Sequence, residues 1–125
     1  MFKNIFLDDV RQPQACASYM YPRIGKLNSI YLKDWVVVRN YEEFKKAIEE
    51  HYPLIATVSF DHDLAQINYD NGKETFSYYE ETGVNCAQFL CDFYASKSAP
   101  LPQCFIHSMN PIGCENIGRI LRKHQ

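Results

Sequence analysis

No stretch of this sequence is apolar for long enough to span a bilayer. Nor does it open on a basic segment followed by a long hydrophobic run, so no secretory leader is expected. The five cysteines are odd in number, and no pair has C-x-x-C spacing. That excludes a dithiol redox motif and a zinc knuckle, and it argues against a disulfide framework. Reduced thiols in a cytoplasm are the simplest reading, with Cys86 and Cys91 as small buried hydrophobes on a helix. Neither sign of charge dominates: the formal net charge is −2, so no broad attraction to nucleic acid or an anionic membrane is implied. What the chain does have is a 46% hydrophobic content over 125 residues, enough for one domain, residues 1–125, with a core that needs no staples.

The apolar residues come in short runs that stop abruptly. Residues 3–7 (Lys-Asn-Ile-Phe-Leu) run into Asp8-Asp9, with Arg11 beyond. A run from Leu54 to Phe60 ends in Asp61-His62-Asp63, and residues 103–107 end in His107-Ser108, then Asn110-Pro111. Such runs read as buried strands, and charges do not leave water cheaply. The polar stops therefore belong at the strand ends, in a common cleft.

Between them lie helical signals. Residues 34–39, with three consecutive valines, suit a strand buried on both faces. Asn40 then caps a helix to about His51, and Glu43 gives capping-box spacing. A second helix is expected from about Gly83 to Ser96. Asn110-Pro111 opens a third, to about Lys123, whose basic C-terminal residues complement the helix dipole. Residues 14–29 read as a loop with one short helical turn. Residues 65–82 read as an insert: Asn71-Gly72 is a turn signal, and the segment suits a short hairpin or a lid beside the site. The alternation of strands and helices implies an α/β fold with a mostly parallel sheet of about four strands, whose ligands bind at the carboxyl ends.

Those ends carry the candidate chemistry. Asp8, Asp9, Asp61 and Asp63 would repel one another unless a cation sat among them. Mg²⁺ or Mn²⁺ suits such oxygen ligands, and the nearby histidines also permit zinc or iron. The plainer reading of Asp8-Asp9 is a solvated turn or an ion pair with Arg11. His62 and His107 suit general acid, general base or metal-ligand roles, against the plainer role of organising a loop. His51 and His124 read as structural. The N-terminus of the last helix, with Ser108 and Asn110, offers donors to an anion, and Arg11 can clamp a phosphate oxygen. An ordinary cap is the plainer alternative. A metal site beside an anion site suits a phosphate ester held between them.

Three stretches carry a family resemblance: Phe6-Leu7-Asp8-Asp9-Val10-Arg11, Ser59-Phe60-Asp61-His62-Asp63-Leu64 and His107-Ser108-Met109-Asn110-Pro111-Ile112-Gly113. Together, in this order, they resemble the signatures of the cyclic-phosphate-processing receiver-like domains of bacteria and their phages. The resemblance implies a receiver-like, flavodoxin-type fold and a role in hydrolysing or otherwise processing cyclic phosphates on nucleotides. In ordinary receivers an acidic pair after strand one binds Mg²⁺ and an aspartate after strand three accepts phosphate. Asp8, Asp9 and Asp61 match those places, and Ser108 resembles the hydroxyl residue after strand four. The chain departs from receivers in lacking a fifth strand and its lysine, and in adding His62 and His107.

The resulting expectation is a cytoplasmic, metal-dependent phosphoesterase (in the host cytoplasm for a phage-encoded chain). Catalysis falls to Asp61, His62 and His107, phosphate binding to Arg11, Ser108 and Asn110, and metal binding to Asp8, Asp9, Asp61 and Asp63. The partner is a cyclic nucleotide or cyclic phosphate ester. The alternatives are a module that binds a cyclic nucleotide without cleaving it, and a degenerate receiver acting through protein–protein contacts. A missing fifth strand leaves strand four as an edge open to pairing in a homodimer.

Overall fold

The computed structural model describes residues 2–19, 33–61, 66–70, 73–77, 82–108 and 111–124. In chain order the elements are β1 (Lys3–Leu7), α1 (Pro13–Tyr19), β2 (Val36–Val38), α2 (Tyr41–His51), β3 (Ile55–Phe60), β4 (Gln66–Asp70), β5 (Lys73–Ser77), α3 (Gly83–Ser96), β6 (Gln103–Ile106) and α4 (Pro111–Lys123). Four strands form one sheet in the order β2-β1-β3-β6. All its neighbouring pairs are parallel. This is the strand order of a flavodoxin-like sheet, and no fifth strand joins it among the described residues.

The sheet has two unlike faces. Side chains alternate along a strand, so Ile5 and Leu7 of β1 point one way and Phe6 the other. Ile5, Leu7, Val38, Val58 and Phe60 join the main core with Phe44 and Ile48 of α2, Leu90 of α3 and Ile117 of α4. Between Lys3 and Asn4 the pairing advances by one residue on β1 but two on β3. The extra residue behaves as a bulge, which lets Ile55 share a core with Val58 although three positions separate them. Phe6 lies fully buried outside that core, edge-on to Trp35 at 5.9 Å between ring centroids.

The helices start and stop for local reasons. In α2 the Asn40 side chain accepts from the Glu43 N–H at 2.9 Å. Glu43 does not complete the expected capping box on Asn40. Its carboxylate accepts instead from the Arg39 N–H, one residue earlier, at 3.0 Å. In α3 Thr82 and Asn85 form a full reciprocal box. The other end of α3 closes with Ala99 N–H donating to the Tyr94 carbonyl and Ser98 N–H to that of Ala95, both at 3.0 Å. This pattern places Ser98 in the left-handed region at φ 52°, where glycine is usual. The apolar stripe of α2 buries Phe44, Ala47 and Ile48, as its spacing implies.

One expectation is extended and another is met. The segment read as a loop from residue 14 begins with the seven-residue helix α1; Pro13 occupies its first position, where a missing N–H costs nothing. The rest of that segment lies outside the described residues. The polar insert at about 65–82 contains the antiparallel hairpin β4–β5, with Asp70 paired to Lys73. Its expected turn, Asn71-Gly72, lies outside the described residues. No helix among the described residues is long and apolar enough to cross a membrane.

Candidate metal and phosphate site

The sheet register assembles the site. Val38, Leu7, Phe60 and Ile106 form the last paired row across the four strands. The next residue of β1, β3 and β6 continues the ladder, and Arg39 follows Val38 on β2. Asp8 N–H donates to the Val38 carbonyl at 3.1 Å, Asp61 N–H to that of Leu7 at 2.9 Å, and His107 N–H to that of Phe60 at 2.9 Å. Arg39, Asp8, Asp61 and His107 thus follow one another across the carboxyl end of the sheet, on neighbouring strands roughly 5 Å apart. Period-two alternation turns this row away from the main core, toward the face that carries Phe6 and Ser59.

On that face the polar side chains are buried and paired. Asp8 and His107 are each 0% exposed, and Asp61 6%. Asp8 Oδ1 accepts from the backbone N–H groups of Val10 at 3.0 Å and Arg11 at 2.8 Å. Asp8 Oδ2 faces His107 Nε2 at 3.1 Å and the Arg11 guanidinium at 3.5 Å. The other ring nitrogen of His107, Nδ1, lies 2.7 Å from the hydroxyl of Ser59, itself fully buried. The imidazole stacks on Phe6, with ring centroids 4.4 Å apart and planes within 8°. His107 is therefore fixed by both nitrogens and by one ring face.

The charge states follow from this geometry. Burial alone would push the Asp8 carboxyl up. The hydrogen bonds from His107 and from the Arg11 and Val10 N–H groups outweigh it and hold Asp8 down at about 2. Burial pushes the His107 pKa below its ordinary 6.5, and the nearby Asp8 charge offsets this only in part. At neutral pH the pair is a carboxylate beside a neutral imidazole. An ionised carboxylate only accepts, so the imidazole proton sits on Nε2 and Nδ1 accepts from Ser59.

Asp8, Asp61 and His107 each offer a ligand atom, and these atoms lie within 4.8 Å of one another. Of the four aspartates expected around a metal, Asp8 and Asp61 are brought together. Asp9 is half-buried beside them and outside that group, and Asp63 lies outside the described residues. The ion pair of Asp8 with Arg11, the plainer alternative from the sequence, is present. Of the expected phosphate ligands, Arg11 lines the site and Ser108 is buried next to His107, its carbonyl 3.3 Å from the Cys114 thiol. His62 and Asn110 lie outside the described residues.

A family model described as cyclic-phosphate processing receiver domain matches residues 3–123. The chain belongs to this family. No curated protein and no solved structure matches it. The match spans all three stretches that carry the resemblance, and the four-stranded parallel sheet is the receiver-like α/β arrangement that they imply.

Two site residues of this cyclic-phosphate processing receiver domain escape sequence reasoning. Ser59 sits between Val58 and Phe60 inside a strand and opens the second resemblance stretch without a role assigned to it; its partner lies 48 residues away. The strand expected over residues 34–39 takes in Arg39. The observed strand stops at Val38, which makes Arg39 a fourth polar stop of the kind seen after β1, β3 and β6. Applying the same rule to that strand would have found it. Its Nη1 donates to the carbonyls of Asp8 at 3.1 Å and Arg11 at 2.6 Å, bracing the β1–α1 loop.

Proposed function

We propose that this chain is a metal-dependent phosphoesterase that opens a cyclic phosphate on a nucleotide. The observation supporting this reading is the convergence of Asp8, Asp61 and His107 at the carboxyl ends of three adjacent parallel strands. Two carboxylates and one imidazole suit a divalent cation of the Mn²⁺, Zn²⁺ or Fe²⁺ kind, and Mg²⁺ less well because of the nitrogen ligand. When bound, such a cation polarises a phosphoryl oxygen and lowers the pKa of a bound water. Asp8, Asp61 and His107 would hold the cation, and Asp8 Oδ2 would then give up its bond from His107 Nε2 and its 3.5 Å contact with Arg11.

The protein residues divide the remaining work. Arg11, released from its long contact with Asp8, donates to phosphoryl oxygens. Its side chain is one-third exposed and can turn to a ligand. His107 is enclosed by Ser59, Asp8 and Phe6, so its part is to orient, and it would ligate through Nε2 in the other tautomer, with Nδ1–H donating to Ser59. The exchange of protons with water and with the departing ester oxygen falls to His62. Ser108 and Asn110 complete the anion site. Water adds across one ring P–O bond, and the freed oxygen takes a proton.

A second reading is capture of a cyclic nucleotide without cleavage. It draws on the pairing of the Asp8 carboxylate, whose two oxygens are met within the protein by Val10, Arg11 and His107. Incubating the protein with 2′,3′- and 3′,5′-cyclic phosphates, with divalent metal and then with chelator, separates the two. A metal-dependent gain of one water by one substrate is the expected result. A ligand retained unchanged through desalting supports capture instead. Substrates left intact and unbound would remove both readings.

A further inference from the structure

Arg39 ends the row that carries Asp8, Asp61 and His107, on the side of β2. We propose that Arg39 is a second anion-binding arginine of this site: one nitrogen of its guanidinium holds the β1–α1 loop, and the opposite edge receives a phosphoryl group of the substrate. The proposal rests on the phosphate-ester reading above and adds a ligand to it.

Three observations support it. A guanidinium carries five N–H donors in a rigid fork. Arg39 commits only Nη1, to the carbonyls of Asp8 and Arg11. Its Nε and Nη2 groups donate to nothing among the described residues. Second, both acceptors are neutral carbonyls, and Arg39 forms no ion pair among the described residues. Of the nearest acids in sequence, Glu42 pairs with Lys45 at 3.3 Å, and Glu43 is held by the backbone N–H of Arg39 and by the Asn40 amide. Among the described residues, this half-buried positive charge beside the site is paired with no carboxylate. Third, the row sets opposite chemistries side by side. Arg39 stands at one end and the Asp8–Asp61–His107 group at the other, with Arg11 over the junction at Asp8. A phosphoryl group there meets a planar two-nitrogen fork, which matches two of its oxygens as a point charge does not.

The test reads anion binding, apart from turnover. Inorganic phosphate and a 2′,3′-cyclic nucleotide are titrated calorimetrically into the full chain with chelator present, for wild type, Arg39→Lys and Arg39→Gln. Lysine keeps the charge and a donor for the loop carbonyls but loses the fork. The expected result is binding by wild type, a loss of about tenfold in Arg39→Lys and a larger one in Arg39→Gln. Melting temperature and the Val10 and Arg11 amide resonances should stay near wild type in Arg39→Lys. Equal affinity in all three proteins overturns the proposal, and so does a loss that appears only with displaced Val10 and Arg11 resonances, since Arg39 is then a loop brace alone. Wild type that binds neither anion also overturns it. Turnover decides the phosphoesterase reading separately: Arg39-dependent binding without hydrolysis sinks that reading and leaves Arg39 as an anion ligand. Hydrolysis with an unchanged KM in Arg39→Lys does the reverse.

Discussion

At the amino ends of the parallel strands the chain places Phe2, Lys3, Leu54 and Gln103; at the carboxyl ends it places Arg39, Asp8, Asp61 and His107. The first group mixes apolar and polar side chains, and Phe2 and Leu54 stay well exposed at 69% and 45%. The second is wholly ionisable, yet three of its four members are buried. Burial of polar groups is costly unless every donor and acceptor is met. At the carboxyl end they are met: among the described residues no buried side-chain nitrogen or oxygen lacks a hydrogen-bond partner. One end of the sheet is therefore a plain boundary with solvent, while the other is a network whose members depend on one another.

This contrast is easiest to break at Asp8. Asp8→Ala strips acceptors from Val10, Arg11 and His107 together, and unfolding in urea should show a loss of about 3–5 kcal/mol. A loss under about 1 kcal/mol would mean that the network is not cooperative.

Acid should act on the same end. The folded-state pKa of Asp8, about 2, lies below its ordinary 3.8. Its contribution is therefore complete above 3.8 and lost as pH falls through about 2; the difference corresponds to about 2 kcal/mol. His107, held neutral by burial, is lowered from 6.5, so unfolding takes up a proton and stability already begins to fall as pH drops below 6.5. Urea melts across this range should show two declines, and His107→Gln should erase the upper one. A flat profile from neutral pH down to about 4 would contradict the neutral, buried imidazole.

Ser59→Ala comes next. It leaves the His107 ring nitrogen without the hydroxyl and should cost about 1–3 kcal/mol. Metal affinity, read by calorimetry, should fall about tenfold or more, because Ser59 orients a proposed ligand. At the amino end, Leu54→Ser should change stability by no more than about 0.5 kcal/mol and leave metal affinity untouched. An effect there as large as that of Ser59→Ala would dissolve the comparison.

The sequence made much of this visible because the strands are short and buried. Residues 3–7 had to be a strand, since Ile5, Phe6 and Leu7 fit between neighbours on both sides. Asn110-Pro111 announced α4, which begins at Pro111. Asp8, Asp61 and His107 were found because each breaks an apolar run. What stayed hidden was pairing between distant segments. Ser59 meets its partner 48 residues away, and the stacking of His107 on Phe6 spans most of the chain. Helix α1 reads from the sequence only as a short helical turn, because residues 13–19 lack a clear apolar stripe and announce themselves only by Pro13. Arg39 was lost through a one-residue overrun in the end of β2, since side-chain roles change at every residue of a strand.

The register of β6 carries a consequence in time. Asp8 and His107 are 99 positions apart, and their contact exists only when β6 lies beside β3 in the observed alignment. A chain emerging from the ribosome holds both aspartates long before it holds the histidine. Until the last strand docks, it has two acids and no imidazole to set between them. The cluster therefore matures only after nearly the whole domain has been made, and a truncated product carries the acidic half of a site that it cannot close.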